Sequence, residues 1–155
     1  MEQNVKTIAF ACDHGGFPAK KDVFEYFNKE GIEVVDFGTF SEESCDYPEF
    51  AESVCQEVIN GKVDKGVLIC GTGIGMSIVA NKIKGIRCAH VTDLFSAEMT
   101  RRHNDTNVIA LGARITSAEL IVKCIDKFLT TDFEGGRHAV RVNKITKIEE
   151  KCGKN

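Results

Sequence analysis

Short apolar runs alternate with stretches of helical periodicity along the chain, the pattern of a parallel sheet covered by helices on both faces. Five runs predict strands, at Thr7–Cys12, Glu33–Phe37, Gly66–Cys70, Ile86–Val91 and Asn107–Leu111. They are short and rich in Val, Ile, Phe and Cys, as doubly covered strands should be. The segments between them predict helices. Pro18 stands where a first helix can begin and Gly31 where it can stop, with Val23, Phe24 and Phe27 as its apolar stripe. The second follows Pro48 and repeats Ala51, Val54, Cys55 and Val58 at three- and four-residue steps up to Asn60-Gly61. A third, after a glycine-rich turn, carries Ile78, Val79 and Ile83, and a fourth carries Arg101 and Arg102. Thr116-Ser-Ala-Glu119 predicts a capping box that opens a fifth helix bearing Leu120, Ile121, Cys124, Ile125 and Phe128. A last helix, from about Gly136 to Cys152, sets Val140, Val142, Ile145 and Ile148 among basic residues, and is expected to pack on a partner subunit.

No repeat or linker-like stretch divides the chain, so residues 1–155 are expected to form one domain with one core. The expected architecture is a three-layer α/β/α Rossmann-like fold with a five-stranded parallel sheet. A chain of 155 residues can bury roughly two thirds of its unfolded surface. Its 43% apolar and 28% charged residues exclude disordered and fibrous classes. The apolar runs fall far short of the ~20 residues that cross a bilayer. No apolar segment with a small-residue cleavage site follows Met1, so the expected compartment is the cytoplasm. Seven cysteines are an odd number, and Cys12, Cys70, Cys88 and Cys124 lie in apolar runs where a reduced thiol behaves as a small core group. No C-x-x-C or H-x-x-x-H spacing occurs, so neither a metal nor another cofactor is expected. A net charge of −3 gives no global attraction to nucleic acid. The one local exception runs from Arg137 to Asn155, where six Lys and Arg face two acids.

In open parallel sheets, ligands bind beyond the carboxyl ends of the strands, where helix N-termini point into the crevice. The unusual residues cluster there: Cys12-Asp13-His14-Gly15-Gly16 after the first strand, Cys70-Gly71-Thr72-Gly73-Ile74-Gly75 after the third, and Gly112-Ala113-Arg114 after the fifth. The segment CGTGIGMS, Cys70 to Ser77, reads as strand, glycine turn and helix. It lacks the third glycine of a dinucleotide fingerprint, since Met76 stands there, and the Gly-Lys-Ser/Thr of a P-loop. Its amides suit an anion, although a purely structural tight turn would look the same. A thiol beside a helix N-terminus is favoured as thiolate and can act as base or nucleophile, which distinguishes Cys70 from an inert buried cysteine. Cys12 precedes Asp13, whose charge would oppose a thiolate, so Cys12 is read as structural. His103-Asn104-Asp105 lies on a connection, as a site or as a solvated loop. His90, inside an apolar strand, reads as a core histidine. Arg137 and Arg141 share one helical face beside His138, suiting either a phosphate or solvent.

Six motifs in order carry a resemblance that runs nearly end to end. They are ACDHGG at Ala11–Gly16, DFGT at Asp36–Thr39, DYP at Asp46–Pro48, CGTGIGMSIVANK at Cys70–Lys82, RRHNDTNV at Arg101–Val108 and EGGRHAVRV at Glu134–Val142. On these the chain resembles the type B ribose-5-phosphate isomerases, grouped with the galactose-6-phosphate isomerase subunits. The resemblance implies a metal-independent aldose-ketose isomerase acting on a phosphorylated pentose, or on a hexose 6-phosphate. It implies that Cys70 removes the proton at sugar C2, that the amides of Gly71, Gly73 and Gly75 hold the enediolate, and that Thr72 assists. It assigns ring opening to His103 and proton transfer on the hydroxyls to Asp13. His14, Arg114, Arg137 and Arg141, joined by His138, become the phosphate grip, while Tyr47 and Asn104 line the pocket. Some members use a glutamate near the glycine turn; here Met76 holds that place and Cys70 is present, favouring the thiol route. A homodimer or dimer of dimers whose active sites combine two chains is also implied, with no nucleic-acid or membrane partner.

Overall fold

The computed structural model describes residues 5–153. In chain order the elements are β1 (Thr7–Cys12), α1 (Phe17–Glu30), β2 (Glu33–Asp36), α2 (Tyr47–Ile59), β3 (Lys65–Cys70), α3 (Ile74–Ala80), β4 (Cys88–His90), α4 (Leu94–Asn104), β5 (Val108–Gly112), α5 (Ala118–Thr130) and α6 (Arg137–Cys152). The five strands form one parallel sheet in the order β2-β1-β3-β5-β4. The expected α/β/α Rossmann-like arrangement is therefore present. The chain runs outward from β1 to β2 and then returns across β1 to β3, so the strand order reverses between β1 and β3. A crevice opens at such a reversal, beyond the carboxyl ends of the two strands.

Alternation along the strands divides the core into two layers. Ile8, Phe10, Cys12, Val67 and Ile69 face α1, α4 and α5, packing with Val23, Phe27, Ala97, Ile121, Ile125 and Phe128. Ala9, Ala11, Leu68 and Cys70 face α2 and α3, packing with Val54, Cys55, Met76 and Ala80. The two-residue period thus places Cys12 and Cys70, both final residues of their strands, on opposite faces. Helix α6 lies outside these layers and packs on α4. No helix among the described residues is long and apolar enough to cross a membrane.

Four local expectations are corrected. The fourth strand is only Cys88–His90, and His90 is exposed rather than part of the core, because it ends an edge strand. Ile83 lies beyond the end of α3 at Ala80. Helix α5 is capped by Ser117, whose hydroxyl accepts the Leu120 N–H at 3.3 Å, and not by Thr116, which is buried. Glu119 consequently sits too early for a capping box and instead pairs with Lys123 at 2.6 Å. On α6, Val142 is buried against its own chain, whereas Val140, Ile145 and Ile148 remain exposed.

Burial pushes the Cys12 and Cys55 thiols up to about 12 and that of Cys124 up to about 11. Their ordinary value is 9.0, so above that pH the folded chain retains protons that the unfolded chain has lost. The contribution of these thiols to stability is therefore complete below about pH 9 and is lost as pH rises toward 11 to 12, by up to about 1.4 kcal/mol per pH unit for each thiol. Urea denaturation across this range checks the sign: the midpoint should fall steadily, and a level midpoint would remove the buried-thiol account.

Candidate active site

The β1 and β3 turns meet because their backbones approach without side chains between them. Asp13 N–H donates to the Ile69 carbonyl at 3.2 Å, and a Cβ on Gly16 would sit on that same carbonyl. Asp13 is buried, and its Oδ1 accepts the Gly16 N–H at 3.0 Å, closing the turn that starts α1. His14 is held from a third direction, its Nδ1 accepting the Cys45 N–H at 3.2 Å. Cys45 lies on the connection from β2 to α2, where no sequence pattern marks it as a support. Lys20 anchors that connection through Asp36 at 2.8 Å and the Thr39 carbonyl at 2.9 Å.

Cys70 is 4% exposed, and its sulfur accepts the Gly73 N–H at 3.1 Å. Helix α3 has only seven residues, and the Gly73 N–H at its N-cap, rather than the dipole of a long helix, is the donor that faces the sulfur. Gly73 adopts φ 82°, a left-handed conformation that turns its N–H back toward the sulfur. The Ile74 N–H donates to Thr72 Oγ1 at 3.2 Å, while the first-turn N–H groups of Gly75 and Met76 have no acceptor within the helix. The Arg114 side chain runs beside Gly71, and the Tyr47 ring lies against Gly75. Asp13, His14, Tyr47, the Gly71–Gly75 turn and Arg114 thus gather with Cys70 at one end of the sheet. Cys12 stays apart, its thiol kept neutral by burial, with Asp36 and Asp13 only minor contributors.

The other predicted site residues lie at the opposite end. Helix α4 runs antiparallel to the strands, so its last turn, with His103 and Asn104, reaches the amino ends of β4 and β5. Arg87 confirms the placement there, donating to the Asn104 carbonyl at 3.0 Å just before β4. The length of β3, about 16 Å at ~3.3 Å per residue, separates this end from Cys70. His103 stacks on His138 with ring centroids 4.2 Å apart and 11° between planes. Arg137 and Arg141 are exposed on the adjoining stretch of α6. Burial, then the neighbouring His103 and Arg137, holds His138 below the ordinary histidine value, so near neutral pH it offers a hydrogen bond rather than a charge. A hollow of about 1170 Å³ at this end is lined in part by Lys65, Arg101, Arg102 and Glu134.

His103, Glu134 and His138 place ligand-type atoms within 4.8 Å of one another. Metal-binding lone pairs lie in the imidazole planes, and two nearly parallel stacked rings do not aim them at one ion. His90 is the residue that sequence reasoning misplaced: it projects from the end of β4, and its Nε2 lies 2.7 Å from the Thr72 carbonyl. The signal available was its place at a strand's carboxyl end, one position before Val91.

Comparison with known proteins gives consistent matches over nearly the whole chain. A family model described as Ribose/Galactose Isomerase matches residues 8–145. Ribose-5-phosphate isomerase B of Escherichia coli is 48% identical over 147 residues, covering 95% of this chain and 99% of its own. The solved ribose-5-phosphate isomerase B of Clostridium thermocellum superposes with a TM-score of 0.92 at 46% identity, over 95% of this chain and 99% of its own. That of Mycoplasma genitalium, solved with bound ribulose-5-phosphate, gives 0.88 at 39% identity, over 94% and 97%.

Adding one carbon at Gly16 tests the close approach of β1 and β3. The Gly16→Ala variant should lose at least about 3 kcal/mol of stability, the upper end of small-to-large costs, because the obstacle is backbone. Chemical denaturation measures it; a wild-type midpoint would mean the turns can separate freely.

Proposed function

This chain belongs to the ribose/galactose isomerase family, and from that premise we propose that it interconverts D-ribose 5-phosphate and D-ribulose 5-phosphate, with Cys70 as the carbon-acid base. The observation that carries the assignment of the base is the Gly73 N–H directed at the Cys70 sulfur, 3.1 Å away, on the turn where the β1 and β3 backbones meet. Removing the C2 proton leaves negative charge on the sugar oxygens, and fixed N–H groups placed along that path lower the barrier. Cys70 accepts the proton as thiolate and returns it to C1. Gly71 and Gly75 supply the backbone that borders the enediolate, the Gly73 N–H being committed to the Cys70 sulfur instead, while Thr72 offers a hydroxyl and Asp13 moves protons between the hydroxyl oxygens. Hydrogen passes between two carbons of one molecule, so the scheme calls for no external electron acceptor, and fixed N–H groups rather than a metal stabilise the enediolate in it.

His103, Asn104, Arg137, His138 and Arg141 serve, in this proposal, the Cys70 of a second copy of the chain. The separation of the two clusters supports that division, since neither can reach the other within one chain. The phosphate would then be gripped by His14 and Arg114 of one subunit and by Arg137 and Arg141 of its partner, with His138 donating a neutral hydrogen bond. The described residues 5–153 act as one domain in this proposal, and the exposed Val140, Ile145 and Ile148 give α6 an apolar face for the partner. Because the family description names galactose as well as ribose, a hexose 6-phosphate is the second substrate class, and relative kcat/KM values on C5 and C6 sugar phosphates decide between them.

Replacing Cys70 with Ala should lower kcat by about 10²–10⁴-fold while sugar-phosphate binding persists, and excess chelator should leave the wild type unaffected. Retained turnover in the variant, or loss to chelator, would refute the thiol mechanism. Arg137→Ala should raise KM for the phosphorylated substrate far more than for the free sugar. Co-expression tests the shared site: Cys70→Ala and His103→Ala subunits, each inactive alone, should recover about a quarter of wild-type activity in randomly mixed two-fold dimers. No recovery, despite demonstrated subunit exchange, would place both groups in one chain's site.

A further inference from the structure

The Gly73 N–H that reaches the Cys70 sulfur and the Thr72 carbonyl that meets His90 belong to one peptide group. On one side the N–H donates to Sγ at 3.1 Å; on the other, the carbonyl oxygen lies 2.7 Å from His90 Nε2. A carbonyl oxygen can only accept, so Nε2 carries the proton and donates. The same ring packs against Gly73, where an added Cβ would lie 2.8 Å from His90 Cδ2 and 2.8 Å from the Leu111 carbonyl carbon. We propose that His90 is a positioning residue for the isomerase: its donated hydrogen bond locks the Thr72–Gly73 peptide with the N–H facing Cys70.

The physical need for a lock arises at Gly73. A peptide plane can turn over by compensating changes in the preceding ψ and the following φ, and glycine makes that exchange cheap because both signs of φ are open to it. Turning this plane over would carry the Thr72 oxygen toward the sulfur and remove the N–H, replacing a stabilising dipole with an opposing one. A donor fixed on the far side of the sheet edge prevents this, since the carbonyl would have to abandon it. Hydrogen bonds in series also polarise one another, so donation to the carbonyl strengthens the N–H that serves the thiolate. Strand β4 is short and at the edge, paired to β5 with His90 opposite Ala110, which sets the ring beside the turn without making it part of the core.

This inference rests on Cys70 being the base, so its test includes a reading that needs no substrate. The rate at which iodoacetamide alkylates Cys70, followed on its own peptide and normalised to exposed Cys152, reports the sulfur directly. His90→Phe keeps a ring against Gly73 but cannot donate; His90→Gln keeps a donor on a flexible stem. We expect His90→Phe to slow alkylation of Cys70 and lower kcat each about tenfold, with KM within about twofold. The Gln variant should recover most of both. Equal losses in the two variants, an effect confined to KM, or an unchanged alkylation rate in His90→Phe would overturn the proposal. Should alkylation respond as expected while wild-type enzyme shows no isomerase turnover, the lock stands and the assigned reaction falls.

Discussion

The parallel pairing of β1 with β3 is the constraint on which the site depends. It places Cys12 beside Ile69 and brings the turns at the ends of both strands into backbone contact, with Asp13 bonded to Ile69 and Gly16 lying against the same carbonyl. Strand order reverses across this pair, so no crossover helix covers the crevice above it. A side chain at Gly16 would wedge the strands apart, and the glycine turn after β3 would lose its register with Asp13 and His14 on the other turn.

Two cysteines one residue out of step across these neighbouring strands face opposite layers of the core. Cys12 faces the layer of α1, α4 and α5 and is neutral through burial. Cys70 faces the layer of α2 and α3, where the chain leaves the strand through glycines and returns an N–H to the sulfur. The difference lies in the turn at the end of each strand. After β1 the Gly16 N–H donates to the carboxylate of Asp13, whereas after β3 the Gly73 N–H donates to the strand-end sulfur itself while His90 donates to the Thr72 carbonyl.

Much of this was legible in the sequence. The alternation of apolar runs and helical stripes predicts all five strands and six helices, and the strand-end rule alone selects the turns at Asp13, Gly71 and Arg114. Helix α5 was legible as an element but not in its cap, because Thr116 and Ser117 are chemically equivalent in a pattern and only tertiary burial of the first decides between them. His90 was misread for a related reason: an apolar run does not reveal that its strand is an edge, and the order in which β5 inserts between β3 and β4 is not written in local periodicity. The distance between Cys70 and His103 likewise depends on which end of the sheet a helix reaches, so motifs group them together while the fold sets them apart.

That separation has a bearing on heredity as well as on chemistry. Two clusters at opposite ends of a strand share no contact through which one could compensate a change in the other, yet both would serve one substrate wherever two copies meet. Positions around Cys70 and around His103 should then drift in concert across species. Their correlated substitutions would look, to anyone folding a lone chain from them, like proximities that no lone chain can satisfy.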